Sequence, residues 1–179
     1  MPNNFLITGA PGSGKTTTVK KTASILQNND FIAGGIYCPE IRKDKTREGF
    51  KIINLMSKES RILAHINQSE GPKVSKYRVN VPNVNEISEK AISEALEKAD
   101  FIVIDEIAPM EIYSEEFKKS VKSALESQKP VLAVIHQKSS TGFIGEVKNR
   151  SDTQLFEVTR ENREGLSEKL ANLIESSLD

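Results

Sequence analysis

Apolar positions in this chain follow two periods. Residues 5–8 form a short apolar run that ends at Gly9, and residues 101–104 form another that ends in Asp105-Glu106. Residues 130–135 and 155–158 repeat the pattern. Continuous runs of this length, rich in Val and Ile, predict strands buried on both faces, as in a parallel sheet. Between them the spacing changes to that of a helix face. Val19, Ala23 and Leu26 share one side of 15–27, and Ile87, Ala91, Ala95 and Ala99 share one side of 85–99. Phe117, Val121, Ala124 and Leu125 do the same, as do Leu166, Leu170, Leu173 and Ile174.

The stretch between the first two buried runs is different. Residues 34–41 and 49–55 are strand-like and flank a polar turn at 43–48, which predicts an antiparallel hairpin. Residues 61–66 and 77–80 add short extended segments on either side of a polar surface loop, 67–76, that contains Gly71-Pro72. Residues 139–149 fit a short helix entered through a loop. Buried strands alternating with amphipathic helices predict a three-layer α/β sandwich around a mainly parallel sheet, with the hairpin as an antiparallel insertion and one domain over 1–179.

Composition narrows the function classes. The chain has 179 residues and no net formal charge, so it lacks the basic excess of most nucleic-acid binders. Charge is nevertheless uneven: residues 31–80 hold ten Lys or Arg against five acids, and residues 81–128 hold five against eleven. Most of the basic groups read as a solvated face. The single cysteine, Cys38, cannot form an intrachain disulfide, lies in an apolar run as a structural thiol would, and suits a reducing, cytoplasmic setting. No targeting segment or run of transmembrane length is expected, and no membrane partner.

The chemistry lies at two strand ends. Gly9-Ala10-Pro11-Gly12-Ser13-Gly14-Lys15-Thr16 fits GxxxxGK[ST] at every fixed position, after a predicted strand and at the start of a predicted helix. Glycines at 9, 12 and 14 let the backbone wrap a phosphate and point N–H groups inward, and the helix that follows adds its positive end. Lys15 should reach the β- and γ-phosphates and the Thr16 hydroxyl should ligate Mg2+. Thr17 either touches the α-phosphate or only opens the helix. The run ending in Asp105-Glu106 delivers two carboxylates to the same sheet edge, where ligands bind in open α/β sheets. Asp105 is placed to hold the metal, and Glu106 to orient or deprotonate an attacking water.

At this point the chain resembles a known family, the small nucleoside-triphosphatases of the THEP1 type. The resemblance runs over nearly the whole length. It rests on the loop 9–16, Pro39-Glu40-Ile41-Arg42, Tyr77-Arg78-Val79-Asn80, Asp105-Glu106-Ile107 with Met110-Glu111, and Glu161-Asn162-Arg163. It implies Mg2+-dependent hydrolysis of ATP, GTP, CTP and UTP to the diphosphate and phosphate, with loose base selectivity. Some members carry Lys where this chain has Pro109, so any role of that lysine does not carry over. Arg42, Arg78 and Arg163 match family positions. Arg163 either lies over the base or ribose or forms a structural salt bridge, and Arg42 and Arg78 are candidates to close on the phosphates. His136 ends a strand on the same edge as Asp105 and either approaches the site or, the better reading, is a packed strand-end histidine.

Two other functions compete. A nucleotide or small-molecule kinase shares the loop and the sheet, but it needs an acceptor pocket and usually an arginine-bearing lid, and no such insertion follows Val131. A nucleotide-dependent RNA-binding module or switch would use the basic stretch 42–78, which has little aromatic interleaving beyond Phe50 and Tyr77.

Overall fold

The computed structural model describes residues 2–179. In chain order the elements are β1 (Asn4–Thr8), α1 (Lys15–Asn28), β2 (Ala33–Tyr37), β3 (Glu40–Lys43), β4 (Thr46–Asn54), β5 (Ser60–His65), β6 (Lys73–Val74), β7 (Tyr77–Val79), α2 (Val81–Lys98), β8 (Phe101–Ile107), a 3-10 turn (Glu111–Tyr113), α3 (Glu115–Glu126), β9 (Val131–Ile135), α4 (Gly142–Lys148), β10 (Thr153–Glu157) and α5 (Arg163–Leu178). The strands form one sheet in the order β10-β1-β9-β8-β2-β4-β5-β7-β6, with β3 paired to β4. From β10 to β2 every pairing is parallel. From β2 outward the pairings are antiparallel.

The period-2 geometry of strands divides the apolar runs between two cores. On β8, Ile102 and Ile104 face α2 and α3, packing with Ile87, Ala91, Phe117 and Val121. Phe101 and Val103 face α1 and α5, packing with Val19, Leu26, Leu170 and Ile174. β9 divides likewise: Val131, Ala133 and Ile135 go to the first core, Leu132 and Val134 to the second. This two-sided burial is why β8 and β9 read as unbroken apolar runs, and it yields the three layers expected. No helix among the described residues is long and apolar enough to cross a membrane.

Three expectations needed correction. The hairpin arm expected over 34–41 is two strands: β2 joins the parallel core beside β8, and the chain then breaks at Cys38-Pro39 before β3 pairs with β4. Proline lacks the N–H that a continuous ladder would use there. The loop 67–76 contains a short strand, β6, whose Val74 pairs with Tyr77. Helix α2 begins at Val81, four residues before the expected 85. Asn80 caps it, its side chain accepting from the Asn83 N–H at 3.1 Å, and Pro82 sits in the first turn.

Asn80 also donates to Gln68 at 3.3 Å, and its own N–H bonds the Leu63 carbonyl at 2.8 Å. The Tyr77–Asn80 motif is therefore architectural: it ends the antiparallel wing and starts α2. Asn80→Ala should lower the unfolding free energy by about 1 kcal/mol, the typical worth of a cap, with nucleotide affinity unchanged. Urea titration and nucleotide binding check this, and a fully stable Asn80→Ala protein contradicts it.

Candidate active site

The loop between β1 and α1 is closed by its own backbone before any ligand is considered. The Ser13 N–H donates to the Ala10 carbonyl at 3.0 Å, and the Thr18 N–H donates to Gly14 at 2.9 Å to start α1. Gly14 has φ 104°, a left-handed conformation that a side chain would strain. At Gly9 a Cβ would stand 2.8 Å from the Val158 carbonyl, so the loop can lie against the end of β10 only because Gly9 has none. Lys15 Nζ donates to the Gly9 carbonyl at 2.9 Å, so the amine lies folded across the loop mouth.

Parallel strands β1, β9 and β8 end at one edge, which brings the second motif beside the first. Asp105 is only 5% exposed, and its Oδ2 has no hydrogen-bond partner among the described residues. The Asp105–Glu106 peptide is cis, and the β8–β9 register shifts there. Burial raises the Asp105 pKa to about 6, against the pull of the Thr16 hydroxyl, Lys20 and Lys15. Burial, then the charge of Asp105, raises Glu106, with Lys15 opposing. Beneath them lies Glu111, on the 3-10 turn, 3% exposed and with Oε2 unpartnered. Its carboxyl is pushed well above the usual range by burial, then by Glu106 and Asp105. Cys38 donates its N–H to the Asp105 carbonyl at 2.8 Å, and burial followed by the three carboxylates raises its thiol. The thiol is thus suppressed as a nucleophile.

Lys15, Thr16, Asp105, Glu106, Glu111 and His136 all line one cleft of about 340 Å³. Of the two readings of His136, approach to the site or a packed strand end, the structure bears out the first: the half-buried residue lines the same cleft as Lys15. The far wall comes from the antiparallel wing and includes Arg47 and Phe50. Arg47 donates to the Tyr77 hydroxyl at 2.8 Å and to Glu40 at 3.1 Å, with its guanidinium 5.2 Å from the Phe50 ring centre.

The structure redistributes the arginines. Arg42 pairs with Glu40 at 2.7 Å on the exposed wing, and Arg78 donates to the Gly71 carbonyl at 2.8 Å. Neither lines the cleft; Arg47 does. The β3–β4 register shift between Ile41 and Arg42 helps decide which arginine faces inward, and sequence spacing carries no trace of it. Arg163 opens α5, and its Cδ lies 3.2 Å from where a Gly14 Cβ would be, so its stem covers the outside of the loop. That segment is held by Asn162, which accepts from the Thr159 N–H at 2.8 Å and donates to the Glu157 carbonyl at 2.8 Å. Thr17 is exposed on the outer side of α1. Glu111 had been given no role; an acid between apolar Met110 and Ile112 was the signal of its burial.

Among the described residues, no group of three or more His, Cys, Asp or Glu is arranged to hold a metal by itself. The set does fit Mg2+, which keeps several waters, takes substrate phosphate oxygens and needs one or two protein oxygens. The exposed Thr16 hydroxyl and the unpartnered Oδ2 of buried Asp105 are such oxygens.

Comparison with known proteins matches this architecture. A family model described as NTPase covers residues 4–171. Nucleoside-triphosphatase THEP1 of Thermofilum pendens is 43% identical over 97% of this chain and 96% of its own. That of Thermotoga maritima is 40% identical over 95% and 94%. The crystal structure of THEP1 from Aquifex aeolicus superposes with TM-score 0.80 at 31% identity, covering 96% of this chain and 99% of that one. The solution structure of a human cancer-related nucleoside triphosphatase gives TM-score 0.81 at 29% identity, covering 99% of both.

The raised Asp105 pKa has a signed consequence. Between the ordinary value of 3.8 and about 6 the folded chain holds a proton that the unfolded chain has lost, so this group makes stability fall as pH rises through that window. In nucleotide-free protein with chelator, Asp105→Asn should therefore unfold at higher urea than the parent at pH 7, by up to about 3 kcal/mol. The gain should vanish towards pH 3.8. Equal stability at pH 7 contradicts the assignment.

Proposed function

The chain belongs to the NTPase family whose model spans residues 4–171, and from that premise we propose that it is a one-domain, Mg2+-dependent enzyme that hydrolyses nucleoside triphosphates to the diphosphate and phosphate. One observation carries the reading: a buried carboxylate with an unpartnered oxygen, Asp105, shares a cleft with Lys15 and Thr16 at the mouth of a phosphate loop. The family names of the relatives point to hydrolysis rather than to transfer onto a second substrate. The 136–141 connection after β9 also holds no arginine with which to build a kinase lid.

In this reading the turn Gly9-Ala10-Pro11-Gly12-Ser13-Gly14, held in shape by the Ser13 N–H bond to the Ala10 carbonyl, turns its remaining N–H groups on the phosphates, with Lys15 and Thr16 closing the loop. Lys15 exchanges its bond to the Gly9 carbonyl for β- and γ-phosphate oxygens, which carry more charge. Thr16 and Asp105 hold Mg2+, which when bound neutralises charge on the β- and γ-phosphates. Glu106 accepts a proton from water as the water oxygen bonds to the γ-phosphorus and the bond to the β–γ bridging oxygen breaks. Its raised pKa, set by burial and Asp105, suits a proton acceptor at neutral pH. Arg163 lies against the outer flank of the loop, where it lends charge or a stacking surface to the nucleoside. Most contacts in this scheme are to phosphate, which supports turnover of ATP, GTP, CTP and UTP alike. The unpaired Cys38 accords with a cytoplasmic setting.

Phosphate release should appear with all four triphosphates, without added acceptor, and should stop when Mg2+ is chelated. Lys15→Ala should abolish tight triphosphate binding. Glu106→Gln should keep binding and lose about 100-fold or more in kcat, the scale of a general base. A Glu106→Gln enzyme working at the parent rate sinks the assignment of Glu106.

A further inference from the structure

Hydrolysis as described gives no task to His136, one of the polar groups that line the cleft. His136 immediately follows β9, and β9 lies between β1, which feeds the phosphate loop, and β8, which ends in the two acids. A side chain leaving the C-terminal end of β9 therefore emerges between Lys15 and Glu106. The ring lines the same cleft as both.

The residue is held at two points. Its N–H donates to the Ile107 carbonyl at 3.0 Å, and its Nδ1 lies 2.8 Å from the Ser139 hydroxyl. The connection that carries Ser139 is tied down in turn, because Lys148 of α4 donates to the carbonyls of Gln137 and Ser139. Nε2 has no hydrogen-bond partner in the protein among the described residues. Burial, then Lys148, Lys15 and Lys138, lowers the ring's pKa, so the imidazole is neutral in use. The Nδ1–Ser139 contact suits either tautomer; in the one where the hydroxyl donates to Nδ1, the single ring proton sits on Nε2.

From this geometry we infer that His136 is a further catalytic residue, donating an Nε2–H hydrogen bond to an oxygen of the γ-phosphate, so that the cleft tells a triphosphate from a diphosphate through this ring. The inference rests on the hydrolytic reading for its effect on rate, but not for its effect on binding. A neutral donor suits the position. It adds no further cation beside Lys15, and it holds a γ-phosphoryl oxygen in place for in-line attack while the electron pair of the breaking bond passes to the bridging oxygen. Pro109, on the opposite lip, has no N–H to serve instead. The ring is then a reader of the third phosphate and not the base that takes water's proton.

Glutamine separates these roles, since its amide N–H reaches the position of Nε2 but the amide cannot accept the proton of water. His136→Leu should lower kcat by about 100-fold, as loss of one preorganised donor does, while His136→Gln recovers most of it. His136→Leu should also reduce the preference for a non-hydrolysable β,γ-imido triphosphate over ADP by about tenfold, with ADP affinity unchanged; that constant affinity also shows the variant is folded. In the parent, 15N spectra of the imidazole should show a protonated Nε2 that shifts with the imido triphosphate and not with ADP. Parent-like kcat and preference in His136→Leu overturn the proposal, as do equal spectral responses to the two nucleotides or a Gln variant as impaired as Leu. A parent protein that releases no phosphate would defeat the hydrolytic reading alone, because the binding and spectral arms still test His136.

Discussion

Asp105 is carried into the interior by a strand that has no freedom to put it elsewhere. β8 is hydrogen-bonded on both sides, to β9 and to β2, and its alternate residues are locked into two separate cores. The apolar run that makes β8 stable therefore delivers a carboxylate to a place where it is desolvated and lacks a partner for one oxygen. Glu106 and Glu111 crowd the same space: Asp105 raises the cost of ionising Glu106, and both raise that of Glu111. A cluster of this kind opposes folding at neutral pH, and in the function we propose a cation brought in with the polyphosphate would relieve it. The electrostatics that weaken the free protein thereby strengthen its complex.

The loop makes the complementary arrangement. Glycines at 9 and 14 permit a backbone that clusters N–H groups, and the Lys15 amine rests on a carbonyl it can readily leave for an anion. Positive potential on one strand end faces negative potential on the next but one, with β9 as the spacer. Because β9 spaces them, the residue that follows it is also delivered into the gap, and His136 takes its position from topology as surely as Asp105 does.

Much of this was readable along the chain. The strands β1, β8 and β9, the helices between them and both motifs were visible because two-sided burial writes continuous apolar runs and because the loop motif sat between a strand and a helix. The wing was less readable. Cys38-Pro39 interrupts what looked like one hairpin arm, and Asn80 with Pro82 starts α2 earlier than its apolar face suggests. Arg47 faces the cleft while Arg42 and Arg78 do not, a result of the register and irregularities of the wing strands that spacing does not record. His136 was legible as far as its sheet edge, with approach to the site as one of two readings, while the burial of Glu111 in the cleft depends on a turn that spacing does not record.

The central claim is that the acids at the end of β8 direct water at the γ-phosphorus of a nucleotide held by loop 9–16. Turnover of ATP with Mg2+ in 18O-labelled water tests it most directly. One labelled oxygen should enter the released phosphate at each turnover and none should enter the ADP. Label in the ADP, or no release until a phosphate acceptor is supplied, would contradict the account.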